Sequence, residues 1–153
     1  MKTLITILLI ALSLNAYSQE PTLQDATGFL KEKIESMCTQ STSVFSVHVN
    51  ECVLDIYEYI DADTVNYYHL DLSEIVDTVY YVEKEKFGKT RVIFKGPGCY
   101  MISYFSLTGD KEEVKTMNQV VLPFKTKGID RIPFIERIEK AALHAKKLCK
   151  PKL

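Results

Sequence analysis

Apolar positions fall into three regimes along this chain. In the first, Leu4 to Leu14 is apolar except for Thr6 and Ser13, Lys2 precedes it, and Ala16 and Ser18 are small. That is the pattern of a signal peptide spanning residues 1–18. The run is shorter than the roughly 20 residues a membrane span needs. No Cys follows it closely, which argues against a lipid anchor, and no second apolar stretch follows. The expectation is export to the periplasm or beyond, with no stable membrane span after cleavage. Residues 19–153 then read as one α+β domain.

The second regime has helical spacing at both ends of the domain. Leu23, Ala26, Leu30, Ile34 and Met37 recur every three or four residues, and Thr22 with Asp25 suits a helix start. Near the C-terminus, Pro133 suits a first helical turn. Ile135, Ile138, Ala142, Ala145 and Cys149 then form a stripe, and Pro151 stops the helix. The third regime, between the helices, has period two. It predicts seven strands: Val44–Val49, Cys52–Ile60, Val65–Leu70, Val76–Lys84, Thr90–Lys95, Tyr100–Phe105 and Gln119–Phe124. Gly96-Pro97-Gly98 is read as a turn between the fifth and sixth. Short connections require antiparallel pairing. The fold class is therefore α+β: a curved antiparallel sheet or partly open barrel, with an N-terminal helix and a closing C-terminal helix.

The run Tyr68-His69-Leu70-Asp71-Leu72-Ser73-Glu74-Ile75-Val76-Asp77-Thr78-Val79 resembles the strand–loop–strand phrase of bacterial PH-like and GRAM-like domains, where Leu-Ser-x-Ile leads into the next strand. The resemblance covers about Val44 to Cys149 and implies a PH-like fold. The N-terminal helix is an addition to that plan. The basic loop by which many PH domains hold inositol phosphates has no counterpart, because only Asn50-Glu51 separates the first two predicted strands. The resemblance implies a fold and no site residues.

Net charge is −1, so the chain is not a basic nucleic-acid binder. The total hides an order. Between Lys33 and Lys84 there is no Lys or Arg and there are ten acids, including Asp55, Glu58, Asp61 and Asp63. From Lys84 onward sixteen bases face seven acids. Cross-strand neutralisation is one account; opposed acidic and basic faces that steer a charged partner is the other. Strand parity places Asp55 with Tyr57 and Tyr59 on the exposed side. Glu58 has the parity of Leu54 and Ile56 and is expected near a strand end, within reach of water. Lys140, Lys146 and Lys147 are expected on the outer face of the last helix.

Four cysteines, Cys38, Cys52, Cys99 and Cys149, all follow the leader. In an oxidising compartment they allow up to two disulfides in three connectivities. Position near helix ends suggests Cys38 with Cys149, and strand location suggests Cys52 with Cys99. The alternative for Cys52 is a buried free thiol beside Leu54 and Ile56.

Candidate chemistry is sparse. His48 and Cys52 lie four apart without further metal ligands in view. His69 precedes Asp71 without a nucleophile. Asp61-Ala62-Asp63-Thr64-Val65-Asn66 departs from a calcium loop at its fifth and sixth positions. No P-loop, G-x-G-x-x-G, H-E-x-x-H or G-x-S-x-G occurs. No catalytic, cofactor-binding or metal residue is assigned, and no cofactor is expected. Tyr57, Tyr59, Tyr67, Tyr68, Tyr80, Tyr81, Tyr100 and Tyr104 suit strands, or form an aromatic surface for a partner or glycan. The expected function is an exported, non-enzymatic binding module for an unknown ligand, such as a charged protein or glycan. The alternative is a small envelope hydrolase using carboxylates or a His69–Asp71 pair.

Overall fold

The structure, a computed structural model, describes residues 20–38, 43–61, 64–82, 88–107 and 110–149, with backbone only over 103–114. The leader at 1–18 and part of the calcium-like loop therefore lie outside the described residues. Helix α1 spans Leu23–Met37. Strands β1 (Val44–Asn50), β2 (Val53–Tyr59) and β3 (Thr64–Asp71) follow, then a 3-10 turn at Leu72–Glu74. Strands β4 (Asp77–Val82), β5 (Lys89–Leu107) and β6 (Asp110–Lys125) lead into α2 (Arg131–Leu148). The six strands form one open antiparallel sheet. The fold is α+β, as the sequence pattern predicts.

Helix α1 starts where a capping box closes it. Asp25 N–H donates to Thr22 Oγ1 at 3.1 Å, and Thr22 N–H donates to Asp25 Oδ2 at 2.8 Å. Its buried apolar residues, Ala26, Leu30 and Ile34, lie on the predicted stripe, and Thr27 is buried beside them with its hydroxyl donating to the Leu23 carbonyl. So do Ile135, Ile138, Ala142 and Ala145 in α2. Both stripes close one face of the sheet, which supplies Phe45, Val47, Leu54, Ile56, Tyr68, Leu70, Phe94 and Leu122 to a single core. Burial of such a stripe is what holds an amphipathic helix of this length.

The sheet has six strands among the described residues where the pattern predicts seven, because Gly96-Pro97-Gly98 does not turn the chain. It lies inside β5, which runs through it for 19 residues. Lys95 pairs with Gln119 and Tyr100 with Met117, so four residues of β5 oppose the single Asn118 of β6, whose φ is 63°. This β-bulge shifts strand parity. Lys95 is exposed, yet Cys99, also odd-numbered, is fully buried. The reason is tertiary. The 3-10 turn is pressed onto the bulge, and a Cβ on Gly98 would lie 2.6 Å from Glu74 Oε2 and 2.8 Å from Asp71 Cβ. One side of β5 consequently carries β3 along its C-terminal half and β4 along its N-terminal half.

The cysteines pair differently from the expectation. Cys52, in the turn after β1, is bonded to Cys149 at the end of α2, with Cα atoms 5.8 Å apart. Cys38 and Cys99 are buried free thiols. Position along the chain could not reveal that the β1–β2 turn meets the end of α2. The disulfide is compatible with an oxidising, exported location. Among the described residues no helix is long and apolar enough to cross a membrane.

Two charged positions also differ. Glu58 does not reach water; it is fully buried. Its Oε2 accepts from the Tyr68 hydroxyl at 2.5 Å and from Asn66 Nδ2 at 2.8 Å. Among the described residues its Oε1 has no hydrogen-bond partner. Lys140 and Lys147 are exposed on α2 as expected, but Lys146 bends back so that its Nζ donates to the Ile75 carbonyl.

Candidate functional site

The sheet face opposite the helices is built by strand register. In one row across it stand His48, Asp55, His69 and Tyr100; in the next stand Ser46, Tyr57, Tyr67 and Ile102. Alternation along β2 places Asp55, Tyr57 and Tyr59 together on this face, as parity predicts. Six rings touch in a continuous patch. Tyr57 lies 5.7 Å from His48, 6.4 Å from Tyr59 and 5.2 Å from Tyr67, measured between centroids. Tyr67 lies 6.0 Å from Tyr100, and His69 stacks on Tyr100 at 4.7 Å. Lys115 Nζ sits 4.9 Å over the Tyr100 ring.

Within the patch lies a polar knot. The Tyr67 hydroxyl donates to Asp55 Oδ1 at 2.6 Å, and His69 Nδ1 meets the same oxygen at 2.8 Å. An ionised carboxylate only accepts, so His69 must carry its proton on Nδ1. Burial, then hydrogen bonding to Asp55 and Tyr100, holds the Tyr67 phenol far above the usual tyrosine range. Tyr67 is therefore a protonated donor throughout the physiological range.

The histidine–carboxylate contact that exists is thus His69 with Asp55, across strands, and not His69 with Asp71. Asp71 Oδ1 instead accepts from Ser73 N–H at 3.0 Å and Ser73 Oγ at 2.6 Å, capping the 3-10 turn. Cross-strand register decides this, and it cannot be read from local spacing. His48 packs edge-on against Tyr57 and Cys52 is disulfide-bonded, so the two do not form a metal pair. Among the described residues no group of three His, Cys, Asp or Glu side chains is placed to hold a metal ion.

The buried thiols are not reactive centres. Burial, then the Glu58 charge, pushes Cys38 well above the usual thiol range. Burial, then Asp71 and Glu74, pushes Cys99 up to about 12. A nucleophilic cysteine needs the opposite shift.

No family model, no curated protein and no solved structure matches this chain.

Proposed function

We propose that this chain is an exported, non-enzymatic binding module that engages a protein partner through the tyrosine- and histidine-bearing outer face of its sheet. The observation that carries the reading is the six-ring patch on the face that the helices leave open. Tyr59 is 46% exposed and His48 is exposed. Contiguous exposed aromatic surface marks interaction sites, and tyrosine is enriched among the residues that dominate protein interfaces. A protein suits the patch better than a glycan. The rings already lie against one another and Lys115 sits over Tyr100, which leaves fewer free ring faces for a sugar to stack on. The leader-like pattern at 1–18 and the disulfide support export.

The test is site-specific photocrosslinking in the cell envelope from position 59, compared with position 132 on α2. The proposal expects a discrete adduct from position 59 only. The purified partner should bind the native protein and lose at least tenfold affinity for Tyr57→Ala, in line with about 2 kcal/mol for an interface hot spot. Equal crosslinking from both positions, or unchanged affinity, would overturn it.

A hydrolase is the second reading, favoured by the 2.8 Å contact between Asp55 and His69. It requires turnover of an ester or glycoside that His69→Gln abolishes while Tyr59→Ala leaves it intact.

A further inference from the structure

The two helices line an open groove of about 550 Å³ on the side of the molecule away from the ring patch. Its size falls within the range of small-molecule sites. Helix α1 supplies Ala26 and Phe29, and α2 supplies Ala141 and Leu143, to give it an apolar lining. Along the α2 side stand Arg137, Lys140, His144 and Lys147. Their spacing of three or four residues puts them on one helix stripe.

The charges of this stripe are not used up by the fold. Arg137 lies over the Phe29 ring at 5.3 Å, and among the described residues neither Arg137 nor Lys147 has a carboxylate within ion-pair distance. Lys140 is 3.9 Å from Glu136, both well exposed, a pair worth little in water. The one acid lining the groove is Asp25. It is engaged by the Thr22 hydroxyl and amide, which hold it below the usual carboxylate range. His144 Nε2 donates to the Pro21 carbonyl at 2.6 Å and ties the late part of α2 to the start of α1. An apolar groove with three cations along one wall, against the single capped carboxylate of Asp25, is complementary to one chemistry.

We infer that the groove binds a soluble single-chain amphiphile with an anionic head, such as a medium-chain carboxylate. The chain lies on Ala26, Phe29, Ala141 and Leu143, and the head faces Lys140 and Lys147. The inference does not depend on the outer-face reading, because the two sites share no residue.

The test uses decanoate below its micelle-forming concentration, titrated calorimetrically into the purified protein. One-to-one binding is expected. Lys140→Glu/Lys147→Glu should weaken it about tenfold or more, since two attractions become repulsions. Both side chains are exposed, and an unchanged melting curve confirms folding. Should the double variant melt early, Lys147→Gln alone carries the test, with a smaller loss in the same direction. Decanol should bind more weakly than decanoate. Four results would overturn the inference: no binding of decanoate, equal binding of decanol, binding indifferent to the charge changes, or binding only to phosphatidylglycerol vesicles. Failure to bind because the residues before Pro21 occupy the groove would overturn it too, and removal of those residues by limited proteolysis would reveal that occupant.

Discussion

Glu58 shows how a single residue can defeat pattern reading and still be explained. Its parity places it on the core face, and the core accepts it because Tyr68 and Asn66 both donate to Oε2. A buried carboxylate without donors would be prohibitive. Tyr68→Phe removes one of those donors, and the expected cost is about 2 kcal/mol by urea denaturation. The Tyr68 phenol itself is pushed far above the usual tyrosine range by burial, then by Glu58. Groups whose pKa is raised on folding stabilise the fold below their unfolded pKa and lose that contribution as pH rises. Cys99 moves from an ordinary thiol value of 9.0 to about 12, so stability should hold to about pH 9 and then fall through that window. The thiols give a sharper check. A thiol reagent should find no reactive cysteine in the native protein and two after unfolding without reductant, Cys38 and Cys99. Two-disulfide pairing would leave none. The exposed parity of Asp55, Tyr57 and Tyr59 was legible because alternation is local. The partner of His69 was not, because it lies 14 residues away across a strand pair.

At the scale of elements, both helices were legible nearly to the residue, since each combines a long apolar stripe with a cap or a proline signal. Thr22→Ala should cost about 1 kcal/mol by loss of the capping box. Acid acts on the same helix. Glu35 is penalised by desolvation, but hydrogen bonds from Lys31 and from Val47 N–H outweigh this and lower its value. Such a group stabilises the fold above its unfolded value and loses the contribution as pH falls. Helix α1 should therefore loosen below about pH 4.5, the ordinary value for Glu, visible as faster amide exchange over Leu30–Met37. The strand count was not legible around Gly96-Pro97-Gly98, because these residues punctuate a chain equally well as a turn or as a bulge. What selects the bulge is the 3-10 turn at Leu72–Glu74, whose Glu74 leaves no room for a Cβ at Gly96 or Gly98. Gly98→Ala should cost about 1–3 kcal/mol, as overpacking does, read as a lower thermal midpoint.

At the scale of the molecule, the disulfide joins the β1–β2 turn to the end of α2 across 97 residues. Cys52→Ser/Cys149→Ser should lower stability by about 2–4 kcal/mol. The charge order of the sequence does not survive as one acidic face. Glu58 is in the core, Asp55 is bonded by Tyr67 and His69 and Asp71 caps the 3-10 turn. The basic end of α2 lies beside the 3-10 turn, where Lys146 donates to Ile75. The ring patch could be anticipated as a strand-borne aromatic surface, but its continuity depends on the pairing of β2, β3 and β5, which no local pattern contains.

The central claim is that the outer face is open in the isolated protein and covered by a partner in the cell. Tyrosine iodination read by mass spectrometry tests it directly, with the exposed Tyr80 and Tyr81 of β4 as internal references. In the purified protein Tyr59 should label together with Tyr80 and Tyr81 while buried Tyr68 does not. In intact envelopes Tyr59 should be protected while Tyr80 and Tyr81 still label. Equal labelling of Tyr59 in both settings would contradict the account.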